Sequence, residues 1–169
     1  MGTQSKLLIL IWCLIFLGGC SEKHTSIWLD DLKIKSFSEG IPAVLPKTTA
    51  SGDSMKMSGI YYNRGVGVQS ISVLSFFLNG NAGQFTAEVG ADDSGNKEVP
   101  VKFYVIGDRK ILFESGEMRV GDAPKKVKVN LKGIKRLGLL VTDDVEGHNK
   151  TYSNWANAQI EMLGTSVPQ

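Results

Sequence analysis

The 169 residues leave room for a single domain, and 19 Lys and Arg set against 17 Asp and Glu give a net charge of +2. The two signs are interspersed, and the densest cationic run, Lys125-Lys126 with Lys128, alternates with apolar residues as the wet face of a strand does. Composition therefore excludes a nucleic-acid footprint.

Lys6 is followed by an unbroken apolar run from Leu7 to Leu17. About eleven such residues suit the core of a signal peptide, where a membrane-spanning helix needs about twenty. Small residues Gly18 and Gly19 then lead into Cys20, and Leu17-Gly18-Gly19-Cys20 resembles the bacterial lipobox, in which the cysteine sulfur takes a diacylglycerol. On this reading residues 1–19 are a lipoprotein signal peptide and residues 20–26 a lipidated tether. The product is exported and anchored to the lipid bilayer of a bacterial membrane, facing the periplasm or the exterior. Cys13 leaves with the signal, so no pair of cysteines remains for a disulfide and the core alone must hold the fold.

From Ile27 to Asp53 the chain mixes Gly40, Pro42, Pro46 and Gly52 with a few apolar anchors, and reads as an N-terminal strand or irregular wrap. Ser70 to Leu78 is a β-branched and aromatic run suited to a central strand. Phe85, Ala87 and Val89 alternate with polar neighbours, as do Val101, Phe103 and Val105, and a turn at Gly107-Asp108 leads into Lys110 to Phe113. Lys126 to Leu131 alternates without a fault, Leu137, Leu139 and Val141 repeat the pattern, and Ala156, Ala158 and Ile160 close the domain on one face. Turn clusters at Asn79 to Asn81, Asp92 to Asn96, Gly121 to Pro124 and Asp143 to Asn149 separate these runs. Short strands at roughly ten-residue spacing, with no helical period, predict an all-β antiparallel β-sandwich over residues 27–163, followed by a C-terminal tail at 164–169.

Several segments, taken in order, resemble one family. Trp28-Leu29-Asp30-Asp31-Leu32 opens the match, and Arg64-Gly65-Val66-Gly67 follows as a glycine turn. Phe85 to Asp93 leads from a strand into an acidic loop. Phe103-x-Val105 then runs through Gly107-Asp108 to Leu112-Phe113-Glu114-Ser115-Gly116, with Leu137 to Asp143 and Trp155-Ala156-Asn157-Ala158-Gln159-Ile160 after it. Together they are similar to the NPCBM domain, the carbohydrate-binding module of family 51 that accompanies glycoside hydrolases such as family 98. The resemblance implies a galactose-binding-like jelly roll, with a glycan recognised by loops at one end and, in some members, a structural calcium. Two departures stand out. Val68-Gln69-Ser70 and Thr151-Tyr152-Ser153-Asn154 each occupy a place where the family carries a histidine.

Sugar recognition needs planar donors and acceptors for ring hydroxyls and an aromatic face for the apolar side of the ring. Arg64, Gln69, Tyr152, Asn154 and Trp155 are the residues expected to supply them. Trp155 also reads as a core plug, although its parity is opposite to that of Ala156, Ala158 and Ile160. Asp92 and Asp93, with Asp143 from the later acidic loop, are the candidate ligands for calcium, which takes clustered oxygens; a solvated turn has the same composition. Catalysis finds little footing. Ser115 has no histidine partner in sequence, and Glu88 and Glu114 each read as the polar side of a strand. Two readings follow. One is a non-catalytic glycan-binding lipoprotein, working beside a glycoside hydrolase on a separate chain. The other is a structural or adaptor lipoprotein that has lost sugar binding and contacts envelope protein or cell wall.

Overall fold

The structure, a computed structural model, describes residues 24–34, 45–143 and 151–169. The signal-like run, Cys20 and residues 144–150 of the later acidic loop lie outside them. Twelve strands are present among the described residues: β1 (His24–Trp28), β2 (Leu45–Pro46), β3 (Met55–Met57), β4 (Ile60–Tyr62), β5 (Gly65–Gln69), β6 (Ser72–Phe77), β7 (Ala82–Ala91), β8 (Val101–Gly107), β9 (Lys110–Glu114), β10 (Lys125–Asn130), β11 (Arg136–Asp143) and β12 (Tyr152–Leu163). A single 3-10 turn at Leu29–Asp31 follows β1. Every pairing is antiparallel.

One sheet runs β10-β7-β12-β5-β2, and β1 extends it by pairing with the far half of β12; the other runs β6-β11-β8-β9. Strict alternation explains the layering. In β10, Val127 and Val129 point inward while Lys126 and Lys128 stay in solvent. In β8, Val101, Phe103 and Val105 are fully buried, and in β11 Leu137, Leu139 and Val141 are. These meet Phe85 and Val89 of β7 and Leu74 of β6 in one apolar core between the sheets. The β3–β4 hairpin lies on the outer face of the larger sheet, where Met55, Met57 and Tyr62 pack on Ala156.

The sandwich is the expected one, with two boundary corrections. The tether does not reach residue 26: His24, Thr25 and Ser26 already belong to β1, paired with Leu163, Met162 and Glu161. Nor is the stretch 164–169 a free tail. Gln169 and Phe77 exchange backbone hydrogen bonds of 2.7 and 3.2 Å, so the chain's last residue continues the pairing at the β6 edge of the smaller sheet. Both segments lack alternation long enough to be read as strands, and what fixes them is an open sheet edge elsewhere in the molecule.

Candidate functional site

Arg64, Gln69, Tyr152, Asn154 and Trp155 do not converge. Trp155 is fully buried, with the rings of Phe85 and Phe103 edge-on at centroid distances of 6.1 and 5.2 Å. It cannot touch a sugar, and its core-plug reading is the correct one. The parity argument fails because β12 is bulged. Its register against β7 shifts between Ala156 and Gln159, and Asn157 takes a φ of 48°. The extra residue puts Trp155 on the same inner face as Ala158 and Ile160 and sends Ala156 outward beneath the hairpin.

Arg64 is a brace. Its Nε lies 2.9 Å from the buried carboxylate of Asp30, its Nη2 donates to Asp31 at 2.8 Å, and its guanidinium stacks 4.6 Å from the Trp28 ring. The Asp31 hydrogen bond raises its pKa further, so the brace stays charged at any working pH. Gly65 pairs with Ala156 and Gln69 with Tyr152, which separates Arg64 from Tyr152 by about 13 Å or more of strand. Gln69 and Tyr152 do face each other, half-buried, at the loop end of the larger sheet.

Asn154 is interior too, and its amide donates to the Asp92 carboxylate at 2.6 Å. The same oxygen of Asp92 accepts from the Lys56 amide at 2.9 Å, and the other accepts from the amide and hydroxyl of Ser94 at 2.9 and 2.5 Å. Asp93 accepts from the amides of Ser58 and Gly59, the tip of the hairpin, at 2.7 and 2.9 Å. These two carboxylates, expected to bind calcium, are filled with protein donors and serve to dock β3–β4 on the sheet. Asp143 ends β11 in the opposite sheet. Among the described residues no group of three or more carboxylate, histidine or cysteine side chains gathers in a metal-binding arrangement.

The hairpin so docked is the part the sequence reading missed. Ser58 and Gly59 have φ of 49° and 81°, the left-handed pair that a two-residue turn between twisted strands requires. Alternation then sends Met55, Met57 and Tyr62 down and the cross-strand pair Lys56 and Tyr61 up. Tyr61 is 66% exposed, with the Lys56 ammonium 5.0 Å from its ring centre. Beside them lies a depression of about 410 Å³ lined by Asp53, Ser54, Lys56, Tyr61, Asp92, Asp93 and Ser94. It combines an aromatic ring, a cation, the Asp53 carboxylate and hydroxyls at the loop end, with Asp92 and Asp93 bordering it on oxygens already given to protein donors. Beneath the hairpin, the Tyr62 hydroxyl donates to Glu88 at 3.0 Å and the Asn157 amide donates to the other oxygen of Glu88 at 3.3 Å. Burial, then the bond to Glu88, pushes the Tyr62 phenol up to about 12.

No catalytic pair is formed by the carboxylates weighed for it. Glu88 is held by Tyr62 and Asn157 on the larger sheet, while Glu114 ends β9 of the smaller one. The Ser115 hydroxyl accepts from the Phe103 amide at 2.9 Å and donates to the Gly116 carbonyl at 2.6 Å, a structural arrangement.

Comparison with known proteins follows the same lines. A family model described as NPCBM/NEW2 domain matches residues 25–161. A protein of Renibacterium salmoninarum named "Putative endo-alpha-N-acetylgalactosaminidase" is 31% identical over 117 residues, 69% of this chain and 8% of that protein. The alpha-1,3-galactosidase B of Akkermansia muciniphila is 26% identical over 119 residues, 68% of this chain and 15% of that one. The chain thus matches only a small part of the length of either relative. Among solved structures, the CBM51 module from a Clostridium perfringens GH95 protein, in complex with methyl-galactose, superposes with a TM-score of 0.69 at 25% identity, covering 80% of this chain and 99% of that module. The sandwich is of the galactose-binding-like type shared by such carbohydrate-binding modules.

Proposed function

The chain belongs to the NPCBM/NEW2 domain family, and we propose that it is a non-catalytic carbohydrate-binding lipoprotein that takes a pyranose at the Tyr61 depression. The observation that carries this reading is the exposure of Tyr61. A core-forming aromatic would turn inward, as Tyr62 does next to it, whereas Tyr61 presents its ring to solvent beside Asp53, Lys56 and Ser94. A pyranose has one apolar face for such a ring and equatorial hydroxyls for the Asp53 carboxylate and the Lys56 ammonium. The methyl-galactose bound by the Clostridium perfringens module supports a galactose-type sugar as the first ligand to test. The hydrolase names of the relatives support a glycan of the kind such enzymes attack. The apolar run Leu7 to Leu17 ahead of Gly18-Gly19-Cys20 supports display on a membrane through Cys20, where surface density raises the avidity of a shallow site.

A glycan array followed by calorimetry with methyl-galactose tests the site. Tyr61→Ala removes a solvent-facing ring, so the melting temperature stays within a degree or two while affinity falls about 10- to 100-fold, the stacking loss of one aromatic. An unchanged affinity in the variant removes Tyr61 from the site. No binding to any glycan by the wild type turns the reading to the adaptor role.

A further inference from the structure

Antiparallel pairing gives the sandwich two chemically different ends. At one, β7 runs out into Asp92 and Asp93, β11 ends on Asp143, and β12 begins, with the Tyr61 depression close by. At the other lie the start of β1, the end of β12 and the turns β6–β7, β8–β9 and β10–β11. That second end carries Arg109 and Lys110 on one turn and Lys132, Lys135 and Arg136 on another, all exposed. None of the five forms an ion pair with a described residue. The carboxylates there are already engaged. Asp108 accepts from the amides of Lys135 and Arg136 at 2.9–3.2 Å, which holds its pKa below the usual value, and Glu161 contacts the His24 ring.

Three further observations single out this end. Arg109, Lys135 and Arg136 line one depression with Phe77, so the two turns adjoin in space. Lys132 lines a second hollow with His24 itself, where the described chain begins. Large apolar side chains are interleaved with the cations: Phe77 is 48% exposed, Ile111 60% and Val167 60%, and Arg136 stacks on Phe77 at 4.9 Å.

We propose that this end is a membrane-docking surface for anionic phospholipid headgroups, and that it holds the domain upright with the sugar-facing loops outward. The inference rests on the reading of Cys20 as the lipid anchor. Only three residues lie between Cys20 and His24, a reach of about 14 Å over the four steps at full extension. So short a leash keeps the cationic turns within about one or two Debye lengths of the lipid surface at physiological salt. Each Lys or Arg there is drawn to an anionic leaflet, and shallow insertion of Phe77, Ile111 and Val167 follows the pattern of interfacial anchors. β12 spans residues 152–163, so the opposite end stands about 36 Å further from the bilayer.

Every described strand and its partners lie between His24 and Gln169, so the chain from Ser21 onward, without lipid and without the apolar run, retains the sandwich and isolates the docking surface. It is sedimented with phosphatidylcholine vesicles, with and without about one third phosphatidylglycerol. At about 0.1 M salt the expected result is at least tenfold tighter binding to the anionic vesicles, weakening as salt rises. Lys132→Glu/Lys135→Glu/Arg136→Glu lowers that binding on the order of a hundredfold. Arg109→Glu/Lys110→Glu, on a separate turn, does the same to a smaller degree and serves if the triple variant melts early. Equal binding to both vesicles, no loss in either variant, or capture of soluble heparin in place of vesicles overturns the proposal. Intact mass of the natural chain reports separately on Cys20: a lipid-bearing chain whose domain does not dock defeats this inference alone, and a docking domain without lipid defeats the tether alone.

Discussion

The indole of Trp155 and the ring of Phe103 meet edge to face, 5.2 Å between centroids at an interplanar angle of 84°, across the gap between the two sheets. Trp155 comes from the middle of the larger sheet and Phe103 from β8 of the smaller, so the contact joins the layers at the centre of the core. Trp155→Ala opens a cavity there and costs about 3–5 kcal/mol, read as an earlier midpoint in urea. The folded fraction keeps its sugar affinity, because the Tyr61 depression is lined by other residues. A variant as stable as the wild type, or one that loses affinity while remaining fully folded, contradicts the assignment.

Asp92 holds the hairpin that carries the site. Its carboxylate accepts four hydrogen bonds from three residues and is 1% exposed. Asp92→Ala leaves the Lys56 amide and the Asn154 side chain without their acceptor, at a cost of about 2–4 kcal/mol. The damage is local first: amide exchange accelerates across Met55 to Tyr62, and sugar affinity falls with the loosened Tyr61 platform. Added calcium does not restore either. Exchange rates that stay unchanged through the hairpin show that something other than Asp92 docks it.

What the chain's alternation makes legible is the sandwich itself. Val127 and Val129, or Phe103 and Val105, have polar neighbours on both sides, and period two is enough to place them. The site is less legible because it depends on breaks in that period. One left-handed residue, Asn157, reverses the face of Trp155, and no local side-chain pattern announces it. The run Arg64-Gly65-Val66-Gly67 resembles a glycine turn by its residues, yet it enters β5. Gly67 is needed there because a Cβ would sit 2.4 Å from the Thr48 carbonyl and 2.5 Å from the Thr49 Cα, a constraint set by a segment about twenty residues away. The β3–β4 hairpin did carry a local signal: Ser58-Gly59 separates two strand-forming triplets, a dipeptide that marks a tight turn.

The Tyr62–Glu88 hydrogen bond makes stability depend on alkaline pH in a defined direction. The folded phenol is raised from 10.0 to about 12, by burial first and by Glu88 second. The folded state therefore holds the phenolic proton more tightly than the unfolded chain does. The associated stabilisation is complete below pH 10 and declines as pH rises from there through about 12. A shift of this size corresponds to a loss of about 2–3 kcal/mol across that window, in a residue only 6% exposed. Tyr62→Phe removes the titrating group, so the difference in unfolding free energy between wild type and variant narrows from pH 9.5 to 11.5, by about one pKa unit's worth or more. Glu88→Gln keeps an acceptor for the phenol and for Asn157 but drops the charge, so the decline still begins near pH 10 but ends at lower pH and is smaller. Parallel pH profiles for wild type and Tyr62→Phe mean that the phenol is solvated in the folded protein and that the hairpin does not seat on Ala156 as described.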